Sequence, residues 1–261
     1  MQRHHEESIE KFIARYQDDP AILAILLGGS LAHGFAKPES DVDIMLIVEE
    51  SDYQRRKDEN KLAFSLWDIC TYPGGYIDCK VVSLSFMNTI MEKGSDPARY
   101  AFLDSKILWS RIDNLQEILN QITQYPTQDQ DRRRTRFASQ ILAWKWYYSE
   151  AVKKQNLYLK YLAIQKITLF ASRLILNENQ MLYPYHKWLL NVVKLAPRKP
   201  VDFDQSIEHL LANHTQDTVD AFCIQALQFV QLDEKTLDWP NQFLHDSELN
   251  WVEHEAPVDD L

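Results

Sequence analysis

The feature that most constrains the fold of this chain is a change of hydrophobic periodicity near residue 112. Before that point short apolar runs alternate with helical patterns, and after it only helical spacing is found. Residues 21–27 and 41–48 are continuous apolar runs, as expected of strands covered on both faces. Two further strand patterns flank the turn-rich residues 71–75 and predict a hairpin. These patterns are residues 65–70 and 76–83, and a last strand is predicted at 105–109.

The segments between and after these strands show the hydrophobic spacing of helices. The sequence therefore predicts an α+β protein: a mixed β-sheet domain with helices over residues 1–112, then an α-helical bundle over residues 113–261. We expect a substrate-binding site in the cleft between the two domains, to which the helical bundle contributes, and the acidic tail from Glu253 onward is expected to fray. The predicted helices are residues 6–17, 52–64, 84–93, 128–155, 157–176 and 185–196, with one more from Val219 to Val230.

Composition excludes several classes of protein. The net charge of −10 argues against binding to long nucleic acid, whose phosphate backbone is attracted by basic surfaces. The longest apolar run, Ala21 to Leu27, is far shorter than the roughly 20 residues of a membrane-spanning helix. The 3 cysteines form no C-x-x-C pair and are expected to be free thiols. These features, with the polar start of the chain, predict a cytoplasmic protein, while the oligomeric state is left open.

A glycine turn follows the first predicted strand. Gly28 and Gly29 let backbone amides approach a ligand closely, and Ser30 is predicted to be the N-cap of a helix that starts at Leu31. A strand end, a glycine turn and a helix N-terminus together form an anion site. Such a site suits a nucleoside triphosphate.

Acidic residues open the second predicted strand. Asp41 and Asp43 are two residues apart, so strand geometry places both carboxylates on one face. Two like charges so close favour a divalent cation, and Mg²⁺ (or Mn²⁺) prefers oxygen ligands. A third carboxylate is expected from a neighbouring strand. Asp78 in the pattern YIDCKVV is our prediction for it, and Asp68 is the alternative.

The segment GGSLAHGFAKPESDVDIMLIV, residues 28–48, resembles the signature of the DNA polymerase β-like nucleotidyltransferase superfamily. Its SLAHG and SDVD details are similar to those of aminoglycoside and lincosamide nucleotidyltransferases. The resemblance implies transfer of a nucleoside monophosphate from an NTP, with ATP as the default, to a hydroxyl of a small molecule such as an antibiotic, with release of pyrophosphate. It implies metal binding and catalysis by Asp41, Asp43 and Asp78, and triphosphate binding by the glycine turn.

Two other functions remain open from the sequence. The chain could be a toxin–antitoxin type enzyme that transfers AMP to a protein, or a nucleotide-binding regulator without turnover. The large helical half argues against the toxin–antitoxin type enzyme. The full set of acids argues against the regulator.

Weaker candidates lie in the helical half. Lys187, in the segment NQMLYPYHK, is predicted to neutralise triphosphate charge, and Glu150 is an alternative to Asp78 as general base. The basic cluster Arg132 to Arg134 with Arg136 is expected to be a solvated face. The aromatic residues Trp144, Trp146, Tyr147 and Tyr148 are expected in the core, and His4 and His5 are expected to have no role.

Overall fold

The computed structural model describes residues 1–252 and 255–260, so part of the predicted frayed tail (Glu253, His254 and Leu261) lies outside the described residues. The chain divides into two compact units, Met1–Gln124 and a second that begins at Tyr125. The predicted boundary after residue 112 lies before a helix, Leu115–Ile122, whose apolar side chains pack in the first unit.

The first unit is built on a mixed sheet. In the part of the chain that the structure describes, this sheet has 5 strands in the order β3-β4-β2-β1-β5. Strands β2 and β4 are parallel, and the other neighbours are antiparallel. The strands are β1 (Ile22–Leu27), β2 (Val42–Val48), β3 (Ala63–Leu66), β4 (Ile77–Ser83) and β5 (Lys106–Ser110). The helices are α1 (Arg3–Tyr16), α2 (Gly29–His33), α3 (Glu50–Asp58), α4 (Leu84–Lys93), α5 (Asp96–Tyr100) and α6 (Leu115–Ile122).

Strand alternation divides the core between the two faces of the sheet. On one face Ile44 and Leu46 of β2 pack with Ile9 and Phe12 of α1. On the other face Met45 and Ile47 pack in a cluster with Met87 of α4. Both strand faces are therefore apolar along most of β2, which explains its continuous apolar sequence. The only acid in β2 is its second residue, Asp43, which is half-buried.

The predicted α+β architecture and the hairpin are confirmed, because β3 and β4 pair antiparallel. Two boundaries are wrong. The helix predicted over residues 52–64 ends at Asp58, and β3 begins at Ala63, two residues before its predicted start. In this short edge strand the exposed residues Ala63 and Ser65 alternate with half-buried Phe64 and Leu66, so the sequence has too few strongly apolar residues to mark the start of the strand.

The second unit is helical, as predicted. Its two long helices pack on each other, and Ala138 and Leu142 of the first contribute to a core cluster with Leu227. The helices are α7 (Gln130–Lys153), α8 (Leu157–Glu178), α9 (Leu189–Lys194), α10 (Phe203–Ala212), α11 (Gln216–Phe229) and α12 (Trp239–Phe243). Among the described residues, no helix combines the length and apolar character required to cross a membrane.

Candidate active site

The glycine turn after β1 lies directly against an acid of β2. The Gly28 N–H donates a hydrogen bond of 2.9 Å to the Asp43 carbonyl. Gly29 has φ of +58°, and a Cβ at this position would lie 1.7 Å from Asp43 Oδ2. Only glycine allows both this backbone conformation and this approach. The turn and the Asp43 carboxylate therefore form one contiguous surface.

Ser30 is not the N-cap of the helix, contrary to the prediction. Helix α2 begins at Gly29 with Gly28 as N-cap, because Gly28 stays extended to pair with Asp43 and Gly29 turns the chain one residue early. The Ser30 hydroxyl is buried, and no atom of residues 1–252 or 255–260 forms a hydrogen bond with it. A buried hydroxyl without a partner is costly. It is a candidate donor to a bound anion.

The acids of β2 and β4 meet in register. Asp43 and Asp78 are paired residues of these parallel strands, so their Cα atoms are neighbours across the sheet at about 4.8 Å. Asp41 directly precedes β2 and lies on the same face as Asp43 by alternation. Sequence analysis predicted all three positions, and the structure brings all three to the same end of the sheet.

Tyr76 shows how close these charges are. Its hydroxyl donates a hydrogen bond to Asp41, and this bond, with the charges of Asp41, Asp78 and Asp43, raises the pKa of Tyr76 to about 12. A phenol responds in this way when anionic groups surround it. The three carboxylates therefore create a local negative potential at the beginning of β2 and β4.

This donor set suits a hard divalent cation that shares its coordination with a substrate. No group of three or more His, Cys, Asp or Glu residues within the described ranges is arranged as a complete protein metal site. Mg²⁺ is usually bound by one or two carboxylates together with waters and substrate phosphates. Asp43 and Asp78, paired in register beside Asp41, fit that partial set of ligands.

The same face of the sheet carries three residues that sequence analysis missed: Tyr76, Lys80 and Trp67. Tyr76 and Lys80 flank Asp78 at two-residue spacing, and Trp67 continues the alternation of β3. Lys80 is exposed. The alternation of YIDCKVV contained the signal, since Tyr76 and Lys80 share the face of Asp78.

Asp68, the alternative third carboxylate, lies elsewhere. It follows β3 in an exposed bend, and its Oδ2 is 3.0 Å from Nη1 of Arg15 in α1. The register pairs Ser65, not Asp68, with Asp78. The prediction that residues 65–70 form a strand is therefore wrong beyond Leu66, because the chain leaves the sheet to form the bend.

The loop before Asp41 is held by the N-terminal helix, which corrects the expectation for His4 and His5. His4 Nε2 lies 2.8 Å from the Pro38 carbonyl, and His5 Nε2 lies 3.0 Å from the Ser40 carbonyl. The Tyr72 hydroxyl donates to the same Ser40 carbonyl at 2.7 Å. Burial, and then the neighbouring His4, lower the pKa of His5, which keeps it neutral. These contacts fix the backbone that leads to the acids.

His33 is the last residue of α2, the helix that follows the glycine turn. Its Nδ1 lies 3.3 Å from Asp104 Oδ2, and its ring packs on Tyr100 at 4.7 Å between centroids. Gly34 ends α2 with φ of 77°. Both contacts keep the short helix α2 in place beside β1.

Several candidates in the second unit have structural partners. Arg132, Arg134 and Arg136 form ion pairs with Asp129, Glu178 and Asp246, respectively. Arg133 lies over the Tyr125 ring at 5.4 Å. Arg133, Arg134 and Arg136 are half-buried, so the cluster is mainly an ion-paired helix face and only Arg132 fits the expected solvated face.

The remaining candidates of the second unit are equally local in their contacts. Lys187 is exposed, and its Nζ lies 5.1 Å from the Trp188 ring centroid. Glu150 pairs with Lys153 and Lys154, and the hydrogen bond from Lys153 lowers the pKa of Glu150. A lowered pKa makes a carboxylate a weaker base. Of the four predicted core aromatics, Tyr148 is buried, Trp144 and Tyr147 are half-buried, and Trp146 is exposed, which corrects the expectation for Trp146.

Part of the chain matches a known protein family. Residues 7–95 match the family model described as polymerase beta, nucleotidyltransferase. None of the curated proteins compared with the chain matches it. A similar solved structure is that of a nucleotidyltransferase-like protein from Exiguobacterium sibiricum 255-15, with 14% identity and a TM-score of 0.49. The match covers 97% of this chain and 81% of that chain.

Proposed function

We propose that the protein transfers a nucleoside monophosphate from an NTP to a hydroxyl of a small acceptor, and the premise is the match of residues 7–95 to the family model described as polymerase beta, nucleotidyltransferase. The observation that carries the proposal is the register of Asp43 with Asp78, together with Gly29 packed against the Asp43 carboxylate. A phosphate-binding turn is thereby joined to a cation-binding set of acids.

The glycine turn would hold the phosphates of the NTP. The backbone of Gly28 and Gly29 approaches a ligand without side-chain obstruction, and the Ser30 hydroxyl, which lacks a protein partner among the described residues, would donate to a phosphate oxygen. Exposed Lys80 adds a positive charge on the face of Asp78. Lys187 stays a prediction for the same task.

The acids would hold Mg²⁺ or Mn²⁺ between the protein and the triphosphate. When bound, the ion supplies charge neutralisation and makes the attacking hydroxyl more acidic. Asp41, Asp43 and Asp78 would provide carboxylate ligands to this ion, and Asp78 would also accept the hydroxyl proton. The acceptor oxygen forms a bond to the α-phosphorus, the bond from that phosphorus to the bridging oxygen breaks, and pyrophosphate leaves with the electron pair. ATP is the default donor.

A small acceptor follows from charge. The net charge of −10 and the ion pairs of Arg132, Arg134 and Arg136 in α7 argue against a polynucleotide acceptor. Aminoglycosides, lincosamides and other hydroxylated metabolites are therefore the acceptors to test first, which includes antibiotic modification among the activities we propose.

The position of the label decides between this function and its alternatives. With Mg²⁺ and α-labelled ATP, we expect label in a small acceptor and stoichiometric release of pyrophosphate, whereas γ-labelled ATP should label only pyrophosphate. The panel contains aminoglycosides, lincosamides, glycerol and sorbitol, with total RNA and a protein extract as separate arms, and each NTP is tested. Label mainly in RNA or in a protein would contradict the proposed acceptor class. Binding of ATP without any turnover would favour a regulator.

A further inference from the structure

Trp67 is an exposed indole held in a fixed position beside the acids. Its side chain is 65% exposed, although its ring stacks on Tyr76 with 4.5 Å between centroids and 24° between planes. Leu66 pairs with Ile77, so Trp67 and Tyr76 are the next residues in the same register. One face of the indole is thus covered by Tyr76, and much of the ring is open to solvent.

Two contacts prevent this indole from moving freely. The Tyr76 hydroxyl is bonded to Asp41, which ties the stacked pair to the acid site. The next residue, Asp68, forms an ion pair with Arg15 of α1 at 3.0 Å. An indole that stacks on a neighbouring ring beside the acids offers its other, amphipathic face for stacking by a ligand.

The strand order indicates which of the two substrates, the NTP or the acceptor, lies near the Trp67 indole. From one side of the sheet to the other, the site runs from the turn after β1, through the acids of β2 and β4, to Trp67 after β3. If the leaving phosphates lie at Gly29 and Ser30, in-line displacement requires the attacking oxygen on the opposite side of the α-phosphorus. That side is the one towards β4 and β3, where Trp67 lies.

We infer that Trp67 is the surface on which a ring of the acceptor stacks, so that the acceptor is a ring-bearing alcohol; this inference rests on the proposed function. An indole face binds the apolar face of a sugar or aromatic ring and also attracts cationic substituents. Asp78, on the neighbouring strand and the same face, is then the carboxylate closest in the sheet to the acceptor hydroxyl.

The test compares acceptor binding with nucleotide binding in three variants. Trp67→Ala is expected to raise the KM for kanamycin or lincomycin about tenfold, equivalent to a stacking contribution of about 1.4 kcal/mol. Its Mg·ATP affinity by calorimetry should stay unchanged. Trp67→Phe keeps a ring and should retain most of the acceptor affinity. Phe86→Ala is the control, because Phe86 is an exposed aromatic residue of the first unit in α4, which follows the end of β4 opposite to Asp78.

Three results would overturn the inference while the proposed function stands. The first is an unchanged acceptor KM in Trp67→Ala. The second is a loss of Mg·ATP affinity in that variant, which would assign the indole to the nucleobase. The third is transfer by the wild-type protein to glycerol or sorbitol but to no ring-bearing acceptor. If the wild-type protein transfers label to no acceptor at all, the proposed function fails and the inference fails with it.

Discussion

Replacement of Asp78 by Asn is expected to lower the rate of nucleotidyl transfer by at least about a hundredfold, in line with the removal of a general base. The amide keeps the size of the side chain but cannot accept the proton of the attacking hydroxyl. Mg·ATP affinity should fall much less, because Asp41 and Asp43 remain on β2 and beside it. Single-turnover rates and equilibrium binding constants measure the two effects separately.

Two matched variants complete this comparison. Asp68→Asn should turn over normally, since Asp68 is exposed and paired with Arg15 outside the sheet. Asp41→Asn should weaken Mg·ATP binding and also abolish transfer. An inactive Asp68→Asn enzyme together with a normal Asp78→Asn enzyme would show that the assignment of the third carboxylate is wrong.

Replacement of Gly29 by Ala is expected to cost at least about a hundredfold in transfer rate, as small displacements of reacting groups do. The new Cβ would lie 1.7 Å from Asp43 Oδ2, so the carboxylate or the turn must move. The φ of +58° adds roughly 1–2 kcal/mol of backbone strain in any L-residue. Rate, Mg·ATP affinity and thermal stability should be measured on the same preparation.

Gly74→Ala separates strain from collision. Gly74 has φ of +72°, but a Cβ there would meet no atom within 4 Å among the described residues. This control should lose a similar amount of stability and keep its transfer rate. Equal rates in the two glycine variants would mean that the contact between the turn and Asp43 has no role in the reaction.

The sequence predicted the positions of those site residues that depend on a single local pattern. Asp41 and Asp43 precede a run of apolar residues, so their common face followed from strand alternation alone. Asp78 was favoured over Asp68 by the pattern around it, but the sequence does not contain the pairing register. Register is set by the sheet as a whole. Only the structure pairs Asp78 with Asp43.

Other features depended on tertiary contacts that no local pattern specifies. Serine is a residue type that often forms the N-cap of a helix, but the pairing of Gly28 with β2 starts the helix earlier and leaves the Ser30 hydroxyl buried. His4 and His5 lie in a polar terminus, and their role depends on carbonyls more than 30 residues away. Trp67 could not be placed beside the acids because the end of β3 was mispredicted.

The central claim is that the glycine turn and the three acids form a site for a metal–nucleotide complex. Calorimetry of ATP binding to the wild-type protein, with Mg²⁺ and with EDTA, tests it most directly. Because Asp41, Asp43 and Asp78 repel a bare triphosphate, we expect Mg²⁺ to tighten binding by at least about tenfold, or 1.4 kcal/mol. The Asp43→Asn variant should lose most of this difference. Equal ATP affinities of the wild-type protein with and without Mg²⁺ would contradict the account.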